Sequence, residues 1–170
     1  MTAIASREGR DDHAQRHAAR LAAVQAIYQM ELTGVDAETV IREFSEHRFG
    51  HEIEGSAAAN PDADFFADIV RGVPHHQLAI DQVIAQGLAE GWKLQRIDSI
   101  LRAILRAAAY ELVARPDVPA KVVIDEYVDI AHAFFGGEEP AFVNALLDRA
   151  AHRKRAAEFG EPAPDGELQF

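Results

Sequence analysis

The stretch Leu94–Val113, LQRIDSILRAILRAAAYELV, decides the fold class. Ile97, Ile100, Leu101, Ile104, Leu105, Ala108 and Leu112 recur at spacings of three and four, an unbroken apolar stripe of helical period. Arg102 and Arg106 lie together off the centre of that stripe, and Arg115-Pro116 stops the helix.

Outward from this segment the same period repeats. Downstream, Pro119 stands near the start of a helix in which Val123, Tyr127, Ile130 and Phe134 recur at four and three. Gly136-Gly137 ends it, and Pro140 opens a last helix carrying Phe142, Val143, Leu146, Leu147 and Ala150. Upstream, Leu78, Ile80, Val83, Ile84 and Leu88 supply a helix that runs towards Gly91, with Trp92 and Leu94 expected to plug the core from the connection. Before that, Asn60-Pro61 reads as a helix start, Phe65, Phe66, Ile69 and Val70 as its apolar face, and Pro74 as a kink or restart. Residues 49–60, with Gly50, Gly55 and Ser56, read as a mobile loop. Ala37–Arg48 forms a short helix with Val40, Ile41 and Phe44 on one side. Asp11–Leu32 forms a longer one, with Leu21, Val24, Tyr28 and Leu32 at helical spacing and Gly34 at its end.

No segment alternates with period two between turn residues, so no sheet is expected. The expectation is an all-α protein, a compact bundle of about seven helices in two packed helical subdomains. Residues 1–10 are expected to be a flexible segment, 11–158 the helical domain and 159–170 a disordered acidic, proline-containing tail.

Composition narrows the function. A hydrophobic fraction of 48% is enough for a sizeable core, and the absence of cysteine removes disulfides and thiolate zinc sites. No apolar run approaches the roughly 20 residues that span a bilayer, so the chain is expected in the cytoplasm with no membrane contact. The formal net charge of -11 repels nucleic acid at long range, so any RNA role requires a local basic patch and a partner's help.

The first helix offers such a patch. His13, Arg16, His17 and Arg20 fall at i, i+3, i+4 and i+7, one polar-basic stripe suited to phosphate contact. The same side then turns apolar through Val24 and Ile27, with Tyr28 at its edge, a ring for base stacking or for the core. Arg153-Lys154-Arg155 is a second basic cluster, explained without a ligand by the dipole of the helix it ends.

Other chemistry finds little support. His75-His76 diverge on a helix, His47 and His51 straddle Gly50, and no His-Glu-x-x-His motif exists, so no metal is expected. Asp125, Glu126 and Asp129 read as solvated helix surface. Phosphate-cradling glycine motifs and nucleophile elbows are both absent. No enzyme activity and no cofactor are expected.

Several segments together resemble the NusB family. Ala22-Ala23-Val24-Gln25-Ala26-Ile27-Tyr28-Gln29 is similar to its Ala-Val-Gln-Ala-Leu-Tyr signature. Phe66-Ala67-Asp68-Ile69-Val70-Arg71-Gly72-Val73 is similar to its Phe…Leu-Val-x-Gly-Val helix. Leu101-Arg102-Ala103-Ile104-Leu105-Arg106, Tyr110-Glu111-Leu112, Asp117-Val118-Pro119, Lys121-Val122-Val123-Ile124-Asp125-Glu126 and Phe142-Val143-Asn144-Ala145-Leu146-Leu147-Asp148 follow in the family's order. Each motif is weak alone, but the ordered set is specific.

The resemblance implies a non-catalytic transcription antitermination factor. It would bind boxA-type RNA of nascent ribosomal RNA transcripts together with the ribosomal protein NusE, within an RNA polymerase antitermination complex. By motif position, the family's RNA-binding region falls on Arg16, Arg20 and Tyr28, with Glu138 in the loop before Phe142-Val143-Asn144; His17 joins these candidates as part of the basic stripe. Members occur as monomers or dimers, so a homodimer is open. Some carry a run of arginines where this chain has Arg16, His17 and Ala18, which implies a low, salt-sensitive RNA affinity for the separate protein. The same fold occurs ahead of ribosomal RNA cytosine methyltransferase domains, but no glycine-rich strand-to-helix segment for a methyl donor is present here. The alternative is a protein-only helical interaction module without intrinsic RNA binding.

Overall fold

The computed structural model describes residues 2–49 and 60–162, with the side chains of 2–8 and 10 left aside. The expected loop before Asn60 and the expected tail beyond Pro162 lie outside the described residues, as does His51. Among the described residues there are seven α-helices, two short 3-10 turns and no strand. The chain divides into two compact units between Pro74 and His75.

The first unit holds α1 (Thr2–Thr33), α2 (Ala37–His47) and α3 (Ala63–His75). The first helix begins well ahead of the expected start at Asp11. No proline precedes Asp11, and a lone glycine, Gly9, costs a helix only about 1 kcal/mol. At the other end Gly34, at φ +74, closes the helix by donating its amide to the Met30 carbonyl. Asp36 then caps α2, its carboxylate accepting from the Thr39 amide at 2.8 Å. Val40 and Phe44 are buried, whereas Ile41 is only partly so.

The start of α3 departs from expectation by a few residues. Asp62, not Asn60, caps it: Asp62 Oδ1 accepts from the Phe65 amide at 3.0 Å. Phe65, Phe66, Ile69 and Val70 are all buried, and Phe66 meets Phe44 and Phe49 at ring separations of 5.3 and 4.9 Å. Pro74 sits in the last turn of α3, and the next helix starts three residues later.

The second unit holds α4 (Gln77–Gly87), a 3-10 turn (Leu94–Arg96), α5 (Ser99–Ala114), α6 (Ala120–Phe134), α7 (Glu139–Lys154) and a second 3-10 turn (Ala156–Phe159). Helices α5, α6 and α7 pack against one another, and α4 packs on α5 and α7. Gly87 is the close point between α4 and α7: a Cβ there would stand 3.0 Å from Leu146 Cγ. Its carbonyl accepts from Arg149 Nη2 at 2.6 Å.

Three expectations need correction here. The helix read as Leu94–Val113 is broken. Asp98 turns out of the helix and caps α5, its Oδ1 accepting from the Ile100 and Leu101 amides at 2.9 and 3.2 Å. The buried Arg102 bridges the break, its Nη1 donating to the Leu94 and Ile97 carbonyls at 3.2 and 2.9 Å. Leu94 does fill the core, but Trp92 is 60% exposed beside Phe142, at a ring separation of 6.2 Å. Leu78 is 85% exposed, because its neighbours Ile80, Val83 and Ile84 take the inward face of a short helix.

The basic run after Leu147 is no simple dipole complement. Arg155 is buried and donates to the carbonyls of Leu112, Val118, Glu111 and Arg115, at 2.6, 2.9, 3.1 and 2.7 Å. It ties the end of α7 to the connection between α5 and α6. Glu158 completes the clasp, accepting from Arg155 Nη1 at 2.6 Å and from the Ala120 amide at 3.0 Å. Phe159 stacks on His152 at 3.9 Å and Glu161 reaches His152 Nδ1 at 2.9 Å, so the chain is still tethered at the expected start of the tail.

Candidate functional site

The basic stripe of α1 is present as a gradient of burial rather than an exposed ridge. His13 is exposed, Arg16 and His17 are half-buried, and Arg20 is 1% exposed. Beyond Arg20 the same face continues into buried Val24 and Ile27. The helical wheel brings these positions together, as expected, but the fold closes over the inner end.

What closes over it is α3. The Arg16 and Arg20 guanidinium carbons lie 4.7 and 4.8 Å from the centre of the Phe65 ring. Both distances allow a cation–π attraction, stronger where water is excluded, as it is at Arg20. A guanidinium keeps its charge even when buried, so Arg20 is a charged group held in the interior against the same ring that Arg16 meets. The expectation that Arg20 stands on the surface is therefore corrected; its side chain belongs to the interior.

Tyr28, two turns further along α1, is half-buried, a position intermediate between a core ring and a free stacking platform. Glu138 lies in the other unit, exposed and immediately before α7, one turn ahead of Phe142. It carries no side-chain capping bond to that helix.

Phe65 escaped the sequence reading. Its spacing with Phe66, Ile69 and Val70 marked it as core, and nothing local reveals a ring placed against cations about 45 and 49 residues upstream, a purely tertiary pairing. Arg155 and Arg102 escaped for the same reason, since buried arginines that serve backbone carbonyls look in sequence like surface ones.

Among the described residues no cluster of histidine, aspartate or glutamate could hold a metal ion, and no helix is long and apolar enough to cross a membrane. His75 and His76 meet edge to face at 4.6 Å, and His76 stacks on Tyr110 at 6.3 Å.

Comparison with known proteins assigns the chain. A model of the NusB family matches residues 17–152. Transcription antitermination protein NusB of Caulobacter vibrioides is 54% identical over 140 residues, 82% of this chain and 94% of that protein. The protein of the same name from Maricaulis maris is 50% identical over 159 residues, 92% of this chain and 99% of that one. Among solved structures, T. maritima NusB superposes with a TM-score of 0.69 at 30% identity, covering 85% of this chain and 96% of that one. A crystal structure of the antitermination factors NusB and NusE with dsRNA matches in fold, with a TM-score of 0.66 at 22% identity over 81% of this chain and 96% of that one. The ordered motifs, the helical architecture and relatives half identical over nearly their whole length agree, and the chain belongs to the NusB family.

Proposed function

We propose that the protein is a transcription antitermination factor. With the ribosomal protein NusE it binds boxA-type RNA in nascent ribosomal RNA transcripts, and this complex supports read-through by RNA polymerase in the cytoplasm. Family membership carries the reading, and it is supported by a NusB of the same fold having been crystallised with NusE and dsRNA.

On this reading the residues take different parts. Arg16 and His17 are accessible enough to reach phosphate, where contacts position the RNA without reading its sequence. Arg20 contributes its charge from the interior. Tyr28 offers the exposed part of its ring or its hydroxyl, and Glu138 contributes from the loop before α7. One half-exposed arginine with a histidine beside it, on a chain of net charge -11, makes a weak RNA binder alone, so NusE supplies much of the positive field.

Retention on immobilised boxA RNA, with and without NusE, tests this. Retention that requires NusE and is lost on a scrambled boxA supports the reading. A chain that captures NusE equally well while the pair ignores the RNA is instead a protein-only module.

A further inference from the structure

The start of α3 is fixed against α1 by the backbone. The Asp62 amide donates to the Gln15 carbonyl at 3.0 Å, and Asp62 Oδ1 accepts from the Phe65 amide at 3.0 Å. Gln15 precedes Arg16, so the two bonds set the Phe65 ring beside the helix face that carries Arg16 and Arg20. The ring is 3% exposed and has both guanidinium groups within 5 Å of its centre.

The two arginines differ in what they can do from there. Arg20 is fully enclosed, whereas Arg16 keeps part of its surface in water. A surface arginine normally samples many rotamers, and ordering it on binding opposes affinity. Attraction to the ring face restricts Arg16 beforehand, while its remaining donors stay available.

We propose that Phe65 is a positioning residue for RNA binding: its ring pre-orders Arg16 at the surface. This inference rests on the reading that Arg16 contacts RNA. A ring that only fills the core would make a different prediction, since its loss would lower stability and leave Arg16 acting independently.

The test is a double-mutant cycle on the complex with NusE, titrating boxA RNA across a salt series and following thermal unfolding alongside. Phe65→Leu is expected to weaken RNA binding about twofold to fivefold, the range of one partly exposed cation–π contact, and Arg16→Ala by at least as much. Together they should weaken it no further than the stronger single change, because both remove one ordered contact. Arg16→Ala should also shallow the salt dependence by about one phosphate's worth, whereas Phe65→Leu keeps the guanidinium and should leave the slope nearly unchanged. Phe65→Tyr keeps the aromatic face and should retain affinity, and Phe65→Met serves as a second non-aromatic variant should Phe65→Leu not fold. If Arg16→Ala weakens binding but the non-aromatic variants do not, or add to it in full, the inference is overturned and the function stands. If Arg16→Ala has no effect, the RNA contact itself is wrong and the inference falls with it.

Discussion

Arg20 and Arg155 show how much a single arginine can mislead when read from sequence. Both sit in basic-looking runs, and both are buried. Arg155 donates to four backbone carbonyls at the meeting of α5, α6 and α7, three of them in buried bonds, so Arg155→Leu leaves those acceptors without their donor. The expected loss is about 3 kcal/mol or more, read from the denaturant midpoint; a loss below about 1 kcal/mol would mean the clasp is dispensable. Glu158 adds a pH dependence. Burial pushes its carboxyl up, but the Ala120 amide and the Arg155 guanidinium outweigh this, and its pKa lies below the ordinary glutamate value. A group depressed in the folded state stabilises above its unfolded pKa, and that contribution disappears as pH falls through the folded value. Stability should therefore decline on acidification from about pH 4.5 downward, and Glu158→Gln should flatten that part of the profile. An unchanged acid profile in the variant would remove Glu158 from the clasp.

At the scale of elements, helical period was legible almost throughout, because apolar spacing of three and four has one cheap solution. Boundaries were not. The Leu94–Val113 stripe continues in phase across Ile97 and Ile100, so periodicity alone could not show that Asp98 leaves the helix to cap α5. The cap is a local choice between two backbones, settled by Arg102 bonding to the carbonyls exposed at the break. Asp98→Ala should cost about 1 kcal/mol, the usual worth of a capping side chain. Thermal unfolding checks it, and a neutral result would place the start of α5 under Arg102 alone. Leu78 failed in another way. A short helix has one inward face, and an apolar residue off that face stays in water whatever its hydropathy; Trp92, in the connection after α4, is exposed as well.

For the whole molecule, the helical class and the family were readable from ordered motifs, since those motifs mark core positions fixed by the fold. The candidate site was readable only in part. The α1 stripe lay in the sequence, but its burial gradient and the Phe65 ring depend on α3 returning to α1, and no local pattern encodes that. The consequence is a protein of net charge -11 with few accessible cations at its candidate site. Such a surface binds a polyanion weakly unless a second polypeptide completes it. The most direct measurement is a titration of labelled boxA RNA at one fixed salt concentration with this protein, with NusE and with their equimolar mixture. The mixture is expected to bind at least tenfold more tightly than this protein alone, about 1.4 kcal/mol. Equal affinities for the mixture and the separate protein would contradict it.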